Sequence, residues 1–467
     1  MEQNVNTTQN NEKPQGFFQS NTAKIIMVGL LVFILLIPLQ FVKSLIFERS
    51  QRQKEVIQEI NEKWGGDVYF YGPIIKVPYT VYEKTKIVDE KTRKVTYEIT
   101  PYTEYAYFFP DELKANIDVN VDADSKKRGI YKSAVYTSDL DFKGIYSLPD
   151  FSTQKTSEKV EEADIHWDQT RLTIKTTNIK GIQGSANITI GGKKLSFEPI
   201  AQTTKRERES VMETAPVNIK ELLANNSAPF SLNIKYQGSE SLSIVPIGKQ
   251  TEATMTSNWH SPSFKGNFLP KTTGTQGQSF PAHWSISYLN RPFAQQYFNG
   301  LPDLSDYTFE TGFITPVDEY QQSERTAKYG FLVIGLTFLV FFLIQTISKI
   351  SIHIFQYGMI GLALIMFYTL LISITEHSSF MLGYFVAGAA VVVMIGLYSV
   401  SILKGIKFPL FIAISLSTLY SFIYVIIQLE DYALLVGSIG LFVILGAVMF
   451  VSRKIDWNNS SLPTAKA

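Results

Sequence analysis

The sequence predicts an α-helical integral membrane protein of six spans, one N-terminal and five C-terminal, with a large, mainly antiparallel β extracytoplasmic domain. Three observations predict it. Six stretches are apolar over about the 20 residues that a helix needs to cross a hydrocarbon layer about 30 Å thick. The long segment between the first and second stretches is polar and rich in Lys, Glu, Asp, Thr, Ser and Tyr. The Lys and Arg of the short loops fall on one side only.

The stretches are residues 25–42, 330–347, 355–374, 380–402, 408–427 and 432–451. The first is longer than the roughly 7–15-residue apolar core of a cleavable signal peptide. It is followed by Lys43-Ser44-Leu45-Ile46-Phe47-Glu48-Arg49 rather than by a small-x-small cleavage site, so it reads as an uncleaved anchor. Lys349, Lys404, Lys407, Arg453, Lys454 and Lys466 follow the second, fourth and sixth spans. The alternate loops carry Glu376-His377 and Glu430-Asp431 and no Lys or Arg. The expected topology is a multi-pass protein of a cytoplasmic membrane, with both termini cytoplasmic and the large domain outside.

Residues 1–23 are Asn-, Gln- and Thr-rich and are expected to be a disordered cytoplasmic tail. Span one occupies 24–46. In 47–64, Val56, Ile57, Ile60 and Trp64 recur at helical spacing, which predicts an amphipathic stem ended by Gly65-Gly66. The β-rich domain covers 65–325, the five-helix bundle 326–452 and a cytoplasmic tail 453–467. Leu113, Ala115, Ile117, Val119 and Val121 alternate with polar residues, as do Leu172-Ile174, Ile188-Ile190 and Phe230-Leu232-Ile234-Tyr236. Such strands have one wet face. Lys180-Gly181, Gly191-Gly192 and Gln237-Gly238 read as turns, and residues 205–223 as a helical or loop interruption. The expected architecture is a sandwich or an extended stack of sheets.

The net charge of +1 gives no overall field for nucleic acid. The chain has no cysteine, which excludes disulfides, thiolate metal sites and a Cys nucleophile. Its five histidines (His166, His260, His283, His353, His377) have no metal-ligand spacing, and no nucleophile elbow, phosphate loop or dinucleotide fingerprint occurs. No cofactor is expected. Glu376 and His377, and Asp431 with Glu430, are ionisable pairs next to spans and are candidate functional residues. Gln345 and Gln356 are expected to bond across helices. Gly383, Ala387 and Gly388 permit close helix approach, and Tyr384, Tyr398, Tyr420, Tyr424 and Tyr432 are interfacial anchors or interhelix packing. Ser261-Pro262-Ser263-Phe264 with Arg291 could form a surface contact patch, against the simpler reading of a turn between strands. None of the five C-terminal spans has a charged residue at its centre, which argues against a proton-coupled transporter.

The chain also holds long, ordered strings of residues that carry a family resemblance. The carrying strings are Pro316-Val317-Asp318-x-Tyr320 with Arg325 and Lys328-Tyr329-Gly330, then Gln356-Tyr357, Gly361-Leu362-Ala363-Leu364, Phe367-Tyr368, Glu376-His377, Asp431-Tyr432-Ala433-Leu434-Leu435 and Arg453-x-x-Asp456-Trp457. In the soluble segment they are Arg128-Gly129-Ile130-Tyr131, Trp259-x-Ser261-Pro262-Ser263-Phe264-x-Gly266-x-Phe268-Leu269-Pro270, and Trp284 with Ser287-Tyr288-Leu289-x-Arg291. In these strings the chain resembles the CreD family of cell envelope integrity inner-membrane proteins, and Asp318 and Arg291 join the candidates through them. The chain departs from the family pattern at Gln345, where an acidic residue is common, and at Ile354, where proline is. The resemblance implies an inner-membrane protein of a Gram-negative-type bacterium with its large domain in the periplasm, linked to envelope integrity and to β-lactam and cell-wall stress. It implies no enzymatic activity. The expected partners are the lipid bilayer and a periplasmic protein or envelope component. The competing readings are transport or lipid handling by the six-helix unit, and a periplasmic hydrolase with scattered carboxylates.

Overall fold

The computed structural model describes residues 21–88, 95–152, 161–200, 209–223, 225–274, 279–313, 319–348, 350–403, 405–429 and 432–453. Residues 1–20 of the expected N-terminal tail, Asp318, Glu430, Asp431 and most of the C-terminal tail lie outside them, while residues 21–23 of that tail are helical. The chain divides into two units, Met1–Lys54 with Val317–Ala467, and Glu55–Pro316.

Helix α1, Asn21–Trp64, runs without a break through the first apolar stretch and the amphipathic one, and Pro38 lies inside it. Its last turns belong to the β unit. Val56 and Asn61 are buried there. Asn61 Nδ2 donates to Glu240 Oε1 at 2.7 Å and Asn61 Oδ1 accepts from Ser133 at 2.6 Å. Lys126 lies 3.9 Å over the Trp64 ring. The stem is therefore packed against the sheets rather than solvated on all sides.

The β unit continues with β1 (Val68–Val88), β2 (Val95–Phe108), β3 (Glu112–Arg128), β4 (Tyr131–Ser147), β5 (Arg171–Thr176), β6 (Ile182–Ile190), β7 (Lys193–Pro199) and β8 (Ser210–Thr214). A single turn of helix, α2 (Ile219–Leu222), precedes β9 (Ser227–Ser239), β10 (Ser241–Ile244), β11 (Gln250–Ser257) and β12 (Ser263–Gly266). The short β13 (Thr272–Thr273), then β14 (Phe280–Ser287), β15 (Gln296–Phe298) and β16 (Phe309–Gly312) complete it. One layer runs β12-β16-β10-β1-β5-β8 and the other β6-β9-β4-β3-β11-β14-β13. Strand β7 pairs with β6 in one layer and β8 in the other, joining them at an edge. All pairs are antiparallel except β1 with β10 and β3 with β11.

The layers face each other across one core. Phe70 of β1 stacks on Phe142 of β4 at 4.6 Å, nearly parallel. Tyr146 donates across to Pro73 O at 2.5 Å and Tyr136 to Ser241 O at 2.7 Å. The alternating residues expected to point inward do so: Leu113, Ala115, Ile117, Val119 and Val121 are all buried, as are Phe230, Leu232, Ile234 and Tyr236.

Two expectations are corrected. Gln237-Gly238 is not a turn; both residues lie inside β9. Any Cβ at Gly238 would collide with the Tyr136 ring, so a glycine in mid-strand marks the passage of an aromatic side chain. Residues 205–223 are not simply an interruption, because β8 lies within them. Its Glu213 is buried and takes Lys76 Nζ at 2.7 Å, so its charge is paired inside the layer. Gly191 and Gly192, both at positive φ (54° and 79°), form the expected two-residue hairpin between β6 and β7.

The membrane unit adds α3 (Glu319–Lys328), α4 (Gly330–Ser348), α5 (Ile354–Thr375), α6 (Phe380–Leu403), α7 (Lys407–Gln428) and α8 (Ala433–Ser452). Together with α1, helices α4 to α8 are six helices long and apolar enough to span a bilayer, matching the six expected stretches. Helix α3 was not expected. It is short and polar, with Tyr320, Ser323, Thr326 and Ala327 buried. Leu35 and Leu39 of α1 are buried against Gly361 of α5 and Gly330 of α4, where a Cβ would strike their methyl groups.

Candidate functional site

At the end of the bundle where α5 turns into α6, the carboxylate of Glu376 is met from two other helices. Tyr320 of α3 donates its hydroxyl proton to Glu376 Oε1 at 3.2 Å. Arg49 of α1 brings Nε to 3.7 Å from the same oxygen. Glu376 is the C-terminal cap of α5, where the unpaired carbonyls make a carboxylate unwelcome. The guanidinium and the phenol supply the opposite field. Glu376 is mostly buried and Arg49 half exposed. The arrangement can fasten three helices at one point.

The other candidates fare differently. His377 is exposed, and its ring meets only Ser373 O of its own helix, at 3.2 Å. It does not join the Glu376 cluster through any bond given by the described residues. Asp318 and Asp431 lie outside the described residues.

Arg291 is not part of a surface patch; it is 6% exposed in the β unit. It lies 4.2 Å over the Phe293 ring, and Nη2 donates to Ile247 O and to Gln295. Burial pushes its guanidinium down to about 10. Its Nε and Nη1, like the hydroxyls of Tyr69 and Tyr71, are buried without a hydrogen-bond partner among the described residues. Ser261 and Pro262 form the turn of the simpler reading, with Ser261 O accepting from Trp259 Nε1 at 2.9 Å. Phe264 packs edge-on against Trp284 at 5.8 Å.

Inside the bundle, Tyr357 donates to Gln345 at 3.1 Å between α5 and α4, as expected for Gln345. Gln356 does not bond across helices; it accepts from His353 N at 2.9 Å and caps its own helix. Tyr384 donates to Tyr420 O at 2.8 Å across α6 and α7, so these two tyrosines are interhelix packing. Tyr432 is exposed. A shallow hollow of about 350 Å³ in the β unit is lined by Ile60, Lys63, Trp64, Lys126, Lys127 and Arg128, with Arg128 paired to Glu59. Among the described residues no three His, Asp or Glu side chains converge as metal ligands.

Arg49 and Tyr320 are the residues that sequence reasoning missed. Tyr320 sits in a quoted family string and Arg49 in the charged segment after span one, but neither string says that they meet.

The family model described as "Inner membrane protein CreD" matches residues 20–458. The chain belongs to the CreD family. The curated Inner membrane protein CreD of Escherichia coli (strain K12) is 31% identical over 442 residues, 93% of each chain. The matched region takes in α1, the β unit and all of α3 to α8, so both Glu376 and its partners lie inside what the family shares in length. Among solved structures, an M1 zinc metallopeptidase mutant from Deinococcus radiodurans aligns over 38% of each chain at 8% identity with a TM-score of 0.18. A TM-score so low carries no argument about this CreD-family chain.

Proposed function

We propose that this chain supports the integrity of the cell envelope from the inner membrane, through a β domain held on the periplasmic side, without catalysing a reaction. The observation that carries the reading is the family match, which runs from the first span through the β unit to the end of the bundle. The charge of the short loops supports the direction: Lys and Arg follow α4, α6 and α8, and none stands between α5 and α6 or between α7 and α8. Both termini are then cytoplasmic and the β unit periplasmic.

Within this reading the bundle anchors and the β unit meets an envelope component. Glu376, the strongest candidate for a transport role, is occupied by Arg49 and Tyr320, which fits fastening better than handling a substrate. The direction is tested with single cysteines in a chain that has none of its own. A membrane-impermeant maleimide applied to spheroplasts is expected to label Ser185→Cys in the β unit and to spare Lys407→Cys. The reverse pattern contradicts the assignment. The role is tested by deleting the gene and scoring tolerance to detergent and to β-lactams.

A further inference from the structure

Arg291 is a buried cation for which the β unit supplies no acidic partner among the described residues. Only its Nη2 is engaged, by the neutral acceptors Ile247 O at 3.3 Å and the Gln295 side chain. Nε and Nη1 are buried and unpaired, and so are the hydroxyls of Tyr69 and Tyr71. Each of these three residues is less than a tenth exposed. A cation taken out of water is costly unless a negative charge and hydrogen-bond acceptors accompany it.

The fold brings the three together. Side chains alternate along β1, and Phe70 faces Phe142 between the layers, so Tyr69 and Tyr71 lie on the outer face of their layer. Their rings meet edge-on at 6.4 Å. The segment between β14 and β16 lies against that face. Its Gln295 O accepts from Phe109 N at 3.1 Å, and Phe109 packs edge-on against Tyr71 at 6.0 Å and Phe293 at 6.4 Å. Arg291 sits 4.2 Å over the same Phe293 ring. Burial drives the Tyr71 phenol up and the Arg291 charge pulls it the other way, so the two groups lie within electrostatic reach. The acids that act on the phenols are themselves engaged. Glu209 pairs with Lys175 at 3.6 Å, and Asp303 accepts from Ser305 N at 2.9 Å.

We propose that Arg291, Tyr71 and Tyr69 form a binding site for a small aliphatic monocarboxylate. One negative charge balances one guanidinium. The two carboxylate oxygens accept from N–H and phenol O–H donors, and such charge-assisted bonds are the strong ones. A short aliphatic body suits walls made by Phe109 and Phe293. A phosphate dianion would bring a second charge, which Glu209 and Asp303 repel. Among the described residues the covering segment joins the sheet as a strand only at β15, Gln296–Phe298, so lifting it breaks few ladder bonds and gives the ligand its way in. The site lies within the β unit and stands whether or not the chain acts in envelope integrity.

The test titrates acetate into the full chain in detergent, with binding read from saturation transfer to the acetate methyl protons and from the unfolding midpoint. Acetate is expected to bind saturably, with a Kd on the order of 1 mM, and to raise the midpoint. Chloride and phosphate at equal ionic strength should not displace it. Tyr71→Phe keeps the ring and removes one donor, so it should weaken acetate binding about tenfold while the chain stays folded. Arg291→Gln should abolish the binding, and Tyr97→Phe at an exposed position should leave it unchanged. Absence of saturable acetate binding overturns the proposal, as does Tyr71→Phe binding acetate as the parent chain does; either result would leave water alone beside Arg291. Displacement by equimolar chloride or phosphate overturns it too, since the site would then take anions without regard to the carboxylate group.

Discussion

The Tyr320 hydroxyl donates to Glu376 Oε1 at 3.2 Å, and the oxygen that accepts it is the one Arg49 Nε approaches at 3.7 Å. One carboxylate thus ties the helix that enters the membrane, the short helix that precedes the second span, and the end of α5. Tyr320→Phe is expected to lower the stability of the solubilised chain by about 1.5 kcal/mol, since it removes a hydrogen bond to a charged acceptor. Arg49→Ala should cost less than about 1 kcal/mol, because its side chain is half exposed and water screens the pair. A thermal-unfolding cycle of Tyr320→Phe with Glu376→Gln checks the tie. Costs that simply add would mean that the two side chains do not interact.

Leu35 of α1 sits against Gly361 of α5 so closely that a Cβ there would overlap its methyl group. Gly361→Val should therefore destabilise the bundle by about 1–3 kcal/mol through overpacking. Adding Leu35→Ala should recover part of that loss, because it vacates the space the valine needs. Unfolding midpoints of the single and double variants decide it. No recovery would place α1 elsewhere in the bundle.

The six spans were legible because hydrocarbon thickness imposes a length that composition alone can meet. Strands β3 and β9 were legible because each has one wet face and therefore a period of two. Strand β1 was not expected as a strand: Val68 to Ile75 is buried on both faces of its layer, which erases the alternation. Helix α3 was missed because only four of its ten residues are buried, two of them Ser and Thr. A surface contact patch was only one of two readings for Arg291, and its burial was not legible, since arginine is seldom buried. What put it inside is a pile of aromatic side chains, Phe293 and Phe109 among them, that come together only in the folded unit. The tie at Glu376 joins residues 49, 320 and 376, and a single sequence carries no signal for such a meeting.

Phe70 and Phe142 stack at 4.6 Å across the two layers and neither is exposed to water. Phe142→Ala is expected to cost about 3–5 kcal/mol, the transfer of a buried ring plus the cavity it leaves. Chemical denaturation followed by tryptophan fluorescence checks it; Trp259 and Trp284 are buried in the same core. A loss below 1 kcal/mol would contradict a single core shared by both layers.

Burial raises the phenols of Tyr69, Tyr71, Tyr136, Tyr146 and Tyr236 well above the ordinary tyrosine value. A phenol whose folded pKa exceeds its unfolded one stabilises fully below the unfolded value of about 10, and that contribution is lost as pH rises beyond it. These phenols should therefore add no pH dependence to the β unit below about 10 and should favour its unfolding in the alkaline range above it. The phenolate absorbance of this buried set should rise only with loss of structure. Full phenolate absorbance before unfolding would contradict the burial of these rings.

The most direct test of the account is tolerance to detergent and to β-lactams in a strain lacking the gene, with the full chain resupplied in trans. The expected result is heightened sensitivity on deletion, restored by the full chain and not by residues 1–54 and 317–467 joined without the β unit. Wild-type tolerance of the deletion strain under every envelope stress, or full rescue by the bundle alone, would contradict it.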